Sequence, residues 1–467
     1  MLLPRWRERL LERVAFLYFV ENRAQSEIGK DEDVRRLYHA KRSEARQEVP
    51  PTVSQTTVNR LVHEARELGV AGVSVDWSFA VTLKEDQALS AELADAFGLD
   101  ECVVLYDSAV EAVGPGNSGD ASAQPSEVGD EHRLILGLAN VTAGDVKSTW
   151  SAGDHIACGG GQTICWFARA VRRNPPRKRD LIFTPLAGRL WVEDWRTGDA
   201  DIMERPLDAD DAVHILSEAF ETQKGGRFSQ INQPLYMASA PDADVILKKH
   251  CPFGRNGSWN WKLPPATRAY VGVGSLDSDN HRLAKFLKRF EHRDKNAKQS
   301  YLHVAGNALV KIRKECSSSG LPLPGDVGNR LFPTLPLPWE IKDKTERASL
   351  NGRIGRISDL VQGLNERAVI MSWQHLRSTR SVRVIAGGTS KRRALWTVLL
   401  AASLDRPTPR SRGGSRTAPF VNELTTDRET AKVLLPAIRA LKNDVHLLRL
   451  YHDICCRIGL SNVRPTA

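Results

Sequence analysis

Residues 54–69 read SQTTVNRLVHEARELG, and this stretch decides the fold of the N-terminal region. Apolar side chains recur along it at helical spacing and form one continuous face: Val58, Leu61, Val62, Ala65 and Leu68. Ser54 is suited to cap the start of such a helix, and Gly69 is suited to end it. The stretch therefore predicts an amphipathic helix of about four turns.

The opposite face of this helix is short and polar. Such a face fits the major groove of DNA, where Arg reads guanine and Asn reads adenine. We therefore predict a recognition helix, although a merely solvent-exposed helix face remains the alternative. The candidate DNA contacts are residues of this face and of nearby helix starts: Gln25, Ser54, Gln55, Thr56, Asn59, Arg60 and His63.

The length, composition and charge of the chain limit the kinds of protein that it can be. The chain has 467 residues, of which 41% are hydrophobic, which is enough for two or three domains with globular cores. A net charge of +10 permits a polyanionic partner, but Lys and Arg nearly balance Asp and Glu in residues 1–70. The positive excess lies in residues 169–179 and 377–416, where a solvated basic surface is its simpler meaning.

Seven cysteines are scattered along the chain without metal-ligand spacing. Their odd number argues against a disulfide framework and favours a reducing cytoplasm. The longest apolar runs, residues 14–20 and 394–404, are too short to span a bilayer, and no signal peptide is recognised. We therefore predict a cytoplasmic protein that has no metal, no cofactor and no membrane partner.

The N-terminal region, residues 1–76, reads as helices followed by a strand. Leu10, Val14, Leu17 and Tyr18 share one helical face, and residues 24–28 open a second helix before the recognition helix. Residues 70–75 are rich in valine and predict a strand, as in a winged helix-turn-helix. Residues 77–112 are expected to hold a connecting helix at 83–97, ended by Gly98, and a first strand at 102–106.

The remainder of the chain predicts an α/β domain with a largely parallel sheet, because short apolar runs alternate there with helical patterns. Residues 113–131 are poor in apolar side chains and predict a flexible loop. Residues 132–440 would form the domain and residues 441–467 a C-terminal helical tail. The predicted strands are residues 155–158, 181–183, 269–273, 382–386 and 419–424.

Glycine-rich segments follow three of these strands, at residues 159–163, 272–277 and 387–391. Glycine lets the backbone approach a ligand, and a helix that starts there presents free N–H groups to a phosphate. In a parallel sheet these loops lie at the carboxyl edge, where ligands bind. Tight strand-to-helix turns are the alternative for any single loop. None of the segments matches a Rossmann or Walker fingerprint.

Short motifs occur in a characteristic order along the chain. The N-terminal motifs are QSEI at 25–28 and TTVNRLVHEARELG at 56–69, followed by residues 93–99 and 102–104. The later motifs are AGDHIA at 152–157, GGGQT at 159–163, VGVGSLD at 271–277, NR at 329–330, VIAGG at 384–388 with Lys391, and TDRETA at 426–431. With this order of motifs the chain resembles bacterial transcriptional regulators of the SorC type, which include the sugar-binding DeoR repressor of Gram-positive bacteria.

This resemblance implies an N-terminal helix-turn-helix and a C-terminal effector domain related in fold to sugar-phosphate isomerases. It implies a phosphorylated sugar or polyol as effector and a homo-oligomer, usually a tetramer, on a double-stranded DNA operator. The apolar positions of residues 433–441 and the tail 445–458 offer helical surface for self-association. The candidate effector-binding residues are Gly159, Gly160, Gly161, Gln162, Thr163, Arg189, Gly274, Ser275, Asp277, Gly387, Gly388, Lys391 and Asp427.

The chain departs from the family pattern in several places. Residues 30–51 separate the two helices of the helix-turn-helix, where a turn of a few residues is usual. Residues 242–265 match nothing in the family, and Trp259 and Trp261 within them form either a core plug or a lid over the pocket. Residues 339–372 contain a further insertion, and Asn307 stands where the family has Asp.

The sequence therefore predicts a sequence-specific DNA-binding regulator of carbohydrate metabolism whose DNA affinity responds to the effector. No set of nucleophile and base stands out, so we do not expect an enzyme. Two alternatives stay open. One is an enzyme like a sugar-phosphate isomerase or deaminase, and the other is a metabolite-binding protein that no longer binds DNA.

Overall fold

The fold is seen in a computed structural model that divides the chain into two compact units, Met1–Phe79 and Ala80–Ala467. The residues that the structure describes are 10–11, 13–15, 17–18, 24–39, 52–67, 83–107, 127–178, 180–189, 208–221, 227–228, 231, 235–254, 258–260, 263–277, 301–405 and 419–461. The predicted strand at 70–75 lies outside the described residues.

The first unit is helical. Its helices with complete bounds are α1 Gln25–Ile28, α2 Glu32–Tyr38 and α3 Gln55–Glu67. Helical residues between 10 and 18 pack with them around one core. The core consists of buried apolar side chains: Leu10, Leu11, Val14, Ala15, Leu17, Ile28, Val34, Val53, Val58, Leu61, Val62 and Ala65.

The predicted recognition helix is confirmed as a helix. The four apolar positions of its buried face that the structure describes, from Val58 to Ala65, are at most 2% exposed. Ser54 caps its start, because the Ser54 hydroxyl accepts a hydrogen bond from the backbone N–H of Thr57 at 3.2 Å. Leu68 and Gly69 lie outside the described residues.

The two ends of the insertion at residues 30–51 lie next to each other in the structure. Gly29 ends α1, and its carbonyl accepts a hydrogen bond from the N–H of Val53 at 2.7 Å. The two backbones lie so close that a Cβ on Gly29 would sit 2.1 Å from the Val53 carbonyl oxygen. Residues 29 and 53 therefore bring the end of α1 close to the start of α3, and α2 lies in the segment between these two residues.

The second unit is built on a ten-stranded sheet. Its strands are β1 Leu83–Glu85, β2 Glu101–Asp107, β3 His155–Cys158, β4 Ile182–Pro185, β5 Arg227–Phe228, β6 Arg268–Ser275, β7 Gly325–Val327, β8 Arg330–Phe332, β9 Ser381–Ile385 and β10 Glu423–Asp427. Their spatial order is β1-β2-β10-β9-β6-β3-β4-β5. In the seven-strand part of this order that starts at β2 and ends at β5, all neighbouring strands pair in parallel. The antiparallel additions are β1 at one edge and the hairpin β7–β8 beside β6.

Helices lie between the strands and after the last one. They are α4 Gln87–Phe97, α5 Glu127–Thr149, α6 Gln162–Arg173, α7 Ala209–Glu221, α8 Ala240–His250, α9 Tyr301–Ser319, α10 Lys344–Asn365, α11 Trp373–Ser378, α12 Arg392–Leu404, α13 Arg428–Lys442 and α14 Val445–Arg457. Short 3-10 turns lie at Pro338–Glu340 and Thr389–Lys391. Among the helices that the structure describes, none has the length and apolar character needed to cross a bilayer.

The helices fall on two faces of the sheet. The strand order runs from β3 to β4 in one direction and from β9 to β10 in the other, so right-handed crossovers place α6 and α12 on opposite faces. On the first face, α5, α6 and α7 pack together over an aromatic core of Trp150, Phe167, Phe183, Phe220 and Tyr270. On the second, α4, α12, α13 and α14 cover the larger apolar core.

Three predicted boundaries were wrong. Residues 83–85 form β1 rather than the start of a helix, because Asp86 caps α4 and accepts from the N–H of Leu89. Helix α5 begins at Glu127, inside the predicted loop 113–131, where acidic side chains suit a helix start. The strand predicted at 419–424 lies at Glu423–Asp427, because it follows its parallel pairing with β2.

The C-terminal residues are part of the core rather than a tail. Leu441, Leu447, Tyr451 and Ile454 are at most 2% exposed, and α14 packs against α10, α12 and α13. The Tyr451 hydroxyl donates to the carbonyl of Pro336 at 2.6 Å. Much of the apolar surface of residues 445–458 is thus covered within the same unit, while Val445 is 57% exposed, and self-association through this helix stays a prediction.

Trp259 is partly buried and packs against the core, which favours the core-plug interpretation of this residue over the lid. Its ring packs edge-on against His155 at the start of β3 and against His375 in α11, with ring centroids 4.7 and 5.3 Å apart. His155 is the first residue of β3, and His375 lies in α11 just before β9, so both histidines are at the amino edge of the sheet. Trp259 therefore lies away from the carboxyl edge where a lid would act, and Trp261 lies outside the described residues.

Candidate functional site

The first candidate site is the polar face of α3. Gln55, Thr56 and Arg60 are exposed on it, and Asn59 is half-buried. The side chain of Gln25 at the start of α1 donates to Asn59 Oδ1 at 3.1 Å. This bond joins two of the predicted DNA contacts, and the second lone pair of Asn59 Oδ1 and its Nδ2 are not used by it. The side chain of His63 is not among those that the structure describes.

The second candidate site is the carboxyl edge of the parallel sheet. The chain moves outward from β3 to β4 and β5, then returns to β6 on the other side of β3. This reversal is the topological switch point, and ligands of doubly wound sheets bind in the crevice there. The predicted effector segments follow β3, β4, β6, β9 and β10, so the parallel pairing brings all of them to this edge.

Close packing explains two of the glycines after β3. A Cβ on Gly159 would lie 3.3 Å from Gly328 Cα in the β7–β8 turn, and one on Gly160 would lie 3.1 Å from the N of Ala209, which opens α7. Gly161 has a φ of +107° with open space around it. Close packing in the fold is thus sufficient to explain glycine at residues 159 and 160. The loop leads into α6, which begins at Gln162 and has no side chain that caps its N-terminus.

The two candidate side chains at the start of α6 differ in exposure. Thr163 is buried and Gln162 is exposed. Because α6 directly follows β3, its first N–H groups lie at the switch point. The helix dipole favours a negative group there.

Asp427 has a structural role that the sequence reading missed. It caps α13, because its Oδ1 accepts from the N–H of Thr430 at 2.9 Å and its Oδ2 accepts from the Thr430 hydroxyl. Oδ2 also accepts from the N–H of Gly388 at 2.8 Å. A Cβ on Gly387 would lie 2.5 Å from this oxygen, so the glycine makes room for the carboxylate. Asp427 is buried, with 6% of its surface exposed.

Arg189 is paired inside the protein. Its Nε donates to Asp210 Oδ2 at 3.0 Å, and the other oxygen of Asp210 accepts from the N–H of Ile231 at 2.8 Å. Burial raises the pKa of the Asp210 carboxyl, while the Ile231 N–H and the Arg189 guanidinium oppose the rise. The charge of Arg189 is thus largely matched by a buried carboxylate.

A cavity of about 960 Å³ opens at this edge beside the ends of β6 and β9. Asp277 lines it, and so do Thr389 and Ser390 of the segment after β9. Burial raises the pKa of Asp277, and the Arg393 guanidinium opposes this shift. The remaining wall comes from the chain before and within α10, including Trp339, Glu340 and Arg353.

The cavity carries both signs of charge. Four cationic side chains face three carboxylates: Lys342, Arg353, Arg392 and Arg393 against Asp277, Glu340 and Glu346. Arg393 forms a forked pair with Glu340, and burial opposes the rise in its pKa that Glu340 causes. The ring of Trp339 is half exposed at this cavity.

Sequence reasoning missed Trp339, Arg353, Arg392 and Arg393. One signal was present: Lys391 is followed by Arg392 and Arg393, and three cations at a helix start oppose the helix dipole unless an anion is near. Arg353 gave no such signal, because it lies in the middle of α10 and reaches the cavity only through the packing of that helix.

The predicted effector-binding residues all lie at the carboxyl edge of the sheet, but they do not all line one cavity. Asp277, Thr389 and Ser390 line the cavity, whereas neither residues 159–163 nor Lys391 are among its lining residues. Strands β3 and β9 are separated by β6, which places them about 10 Å apart at two strand spacings. A single phosphate shared by Thr163 and Lys391 stays a prediction.

Comparison with known proteins gives structural neighbours only. No family model and no curated protein matches the chain. The full-length sorbitol operon regulator SorC from Klebsiella pneumoniae is 17% identical, over 92% of this chain and 99% of its own, with a TM-score of 0.43. A DeoR family transcriptional regulator from Listeria monocytogenes is 17% identical, over 74% and 98% respectively, with a TM-score of 0.42.

A third neighbour is assigned as the sugar-binding domain of a transcriptional repressor from Vibrio fischeri. It is 15% identical, over 76% of this chain and 100% of its own, with a TM-score of 0.43. The structural neighbours are SorC- and DeoR-type transcriptional regulators. They belong to the type of regulator that the sequence resembles.

Proposed function

We propose that this protein is a sequence-specific DNA-binding transcriptional regulator whose DNA affinity is changed by a phosphorylated sugar or polyol. The DNA-binding part is the first unit, with α3 in the major groove. The effector part is the carboxyl edge of the sheet in the second unit. The functional form is a homo-oligomer, because a helix-turn-helix monomer reads only one half of a symmetric operator.

The observation that carries the DNA-binding proposal is the joint between α1 and α3. The Gly29–Val53 hydrogen bond brings the two helices together as if the intervening residues were a short turn. Ser54 fixes the start of α3, and the described apolar residues of its inner face, from Val58 to Ala65, are buried in the core. Gln55, Thr56 and Arg60 are thereby held on the outer face, where an exposed Arg suits a guanine edge.

The effector proposal rests on the cavity at the sheet edge. Its volume of about 960 Å³ is at the upper end of the range for small-molecule pockets, about 300–1,000 Å³. Hydroxyl groups of Thr389 and Ser390, carboxylates and guanidinium groups line it together. Such a lining offers donors and acceptors for sugar hydroxyls and cations for a phosphate. The proposal extends the site to Lys391 and to the start of α6.

The DNA-binding half is tested with Arg60→Ala in the full chain. If Arg60 reads a guanine, binding to the selected operator should weaken by about 1–3 kcal/mol, and specificity should relax at one base position. Arg356→Ala is the matched control, because Arg356 is an exposed arginine of the second unit paired with Glu315. Fluorescence anisotropy on DNA selected from a random pool, against scrambled DNA, gives both values. Equal affinity of the wild-type chain for both DNAs would refute DNA recognition.

The effector half is tested by calorimetric titration with sugar phosphates, the matching sugars and inorganic phosphate. Lys391→Ala should weaken sugar-phosphate binding by about two orders of magnitude, because losing one charged partner of a buried anion costs several kcal/mol. Lys432→Ala, on the exposed side of α13, should not. DNA affinity without effector should be equal in both variants. By linkage, effector and DNA should change each other's affinity by the same factor.

A further inference from the structure

Asn329 stands in a strained position in the turn between β7 and β8. Its φ is +73°, in the left-handed region that favours glycine, and Asn tolerates it better than most residues. The turn is fixed by the N–H of Asn329, which donates to Asp326 Oδ2 at 2.9 Å. The backbone arrangement needs no side chain at this position, since glycine would adopt it without strain.

The side chain of Asn329 is also buried with an unused donor. The residue is 8% exposed, and its Nδ2 has no hydrogen-bond partner among the residues that the structure describes. A buried amide donor without a partner costs stability, and such groups in native folds call for an explanation. Strain and an unused donor occur here in one residue, which is a combination typical of ligand-binding positions.

The location of this amide is the switch point itself. A Cβ on Gly160 would lie 3.2 Å from Asn329 Nδ2 and 3.1 Å from the N of Ala209. The amide thus lies beside the glycine segment that leads into α6 and beside the start of α7. Helix α6 is longer than three turns and has no acidic residue in its first turn, so its first N–H groups add positive potential at this point, whereas Asp210 and Asp211 stand in the first turn of α7.

We propose that Asn329 is a specificity-determining residue of the effector site, and that its Nδ2 donates a hydrogen bond to an oxygen of a sugar phosphate held at the start of α6. This inference rests on the effector half of the proposed function. The bound oxygen supplies the acceptor that the buried amide lacks. A ligand without an acceptor at this place leaves the amide unpaired, so the site rejects it.

The test compares Asn329→Gly and Asn329→Asp in the full chain. Asn329→Gly removes the amide, keeps the turn conformation and releases the strain, so the ligand-free protein should melt at or above the wild-type temperature. Asn329→Asp keeps the shape but replaces the donor by an acceptor. Asp180→Gly is the matched control, because Asp180 is the other described non-glycine residue with positive φ and it is exposed before β4.

Calorimetric titration with fructose 6-phosphate, glucose 6-phosphate and inorganic phosphate gives the readout. Asn329→Gly should bind the preferred sugar phosphate at least about tenfold more weakly, Asn329→Asp more weakly still, and Asp180→Gly as the wild type does. A parallel loss for inorganic phosphate identifies a phosphoryl oxygen as the acceptor. A loss confined to the sugar phosphates identifies a sugar hydroxyl.

Wild-type affinity in Asn329→Gly overturns the inference and leaves the regulator proposal standing. A lowered melting temperature with unchanged affinity also overturns it, and identifies the amide as a structural group. If the wild-type chain binds none of the probes at millimolar concentration, the effector half of the proposed function and this inference fail together. The DNA-binding half is then still decided by Arg60→Ala alone.

Discussion

Arg383 on β9 is a buried guanidinium surrounded by three carboxylates. Its side chain is 3% exposed and lies 2.6–2.7 Å from oxygens of Glu101, Asp145 and Glu423. Burial opposes its charge, but Glu423 and Glu101 outweigh the burial and raise the pKa of the guanidinium. These partners come from β2, α5 and β10, so one side chain ties three elements to the centre of the sheet.

We predict that Arg383→Gln lowers the free energy of unfolding by about 3–5 kcal/mol, because the carboxylates stay in place with less counter-charge. Arg172→Gln is the control, since Arg172 forms an exposed pair with Glu218 and should cost about 1 kcal/mol or less. Urea unfolding gives both values, and equal losses in the two variants would contradict the prediction.

At the scale of elements, the joint between α1 and α3 includes a close approach of two backbone segments. Gly29 has a φ of −62°, which any residue adopts, so its need for glycine is steric rather than conformational. The Val53 carbonyl occupies the place that a Cβ on Gly29 would take. Residue 29, on the far side of the insertion, thus helps to position α3.

We predict that Gly29→Ala separates α1 from α3, because a Cβ 2.1 Å from a backbone oxygen forces the chain to move. Amide hydrogen exchange in α1 and α3 should accelerate, and DNA affinity should fall at least about tenfold, since misplacing the helix loses base contacts together. Gly144→Ala is the control, because a Cβ on Gly144 in α5 meets nothing within 4 Å and alanine favours helix there. Unchanged exchange in α1 and α3 would show that the joint does not position the helix.

At the scale of the whole molecule, two buried histidines join distant parts of the second unit. His155 Nδ1 donates to the Pro264 carbonyl and its Nε2 accepts from the Thr184 hydroxyl, at 2.8 and 2.7 Å. His375 has the opposite tautomer, because its Nε2 donates to the Ser258 carbonyl at 2.8 Å. Burial lowers the pKa of both imidazoles, so each is held neutral between fixed partners.

These lowered pKa values predict that the second unit loses stability as the pH falls below about 6.5. The unfolded chain binds protons at these imidazoles there and the folded chain does not, so the free energy of unfolding decreases, by up to about 1.4 kcal/mol per pH unit for each histidine. Above about 7 the contribution is complete. His375→Gln should reduce this pH slope, whereas the exposed His446→Gln should leave it unchanged. Urea unfolding at pH 5, 6 and 7 measures the slopes, and identical slopes in wild type and His375→Gln would refute the assignment.

Local patterns in the sequence determined the elements that position both sites. The 3.6-residue spacing and the Ser54 cap predicted α3, and short apolar runs predicted β3 and β9 nearly to the residue. These signals are readable because periodicity and capping involve residues a few positions apart. The glycine segments followed from the same reading, because a parallel sheet puts all its carboxyl ends at one edge.

Only the tertiary structure decided what those segments contact. Asp427 and Arg189 stay ligand candidates, but each also has a partner inside the fold: Asp427 accepts from the N–H of Gly388, and Arg189 pairs with Asp210. The β7–β8 turn places Asn329 over Gly160, and α10 supplies Arg353 to a cavity that also holds Asp277. These contacts join residues separated by tens to hundreds of positions, and no local pattern encodes them. Their partners are fixed by strand order, crossover handedness and close packing, which exist only once the whole chain has folded.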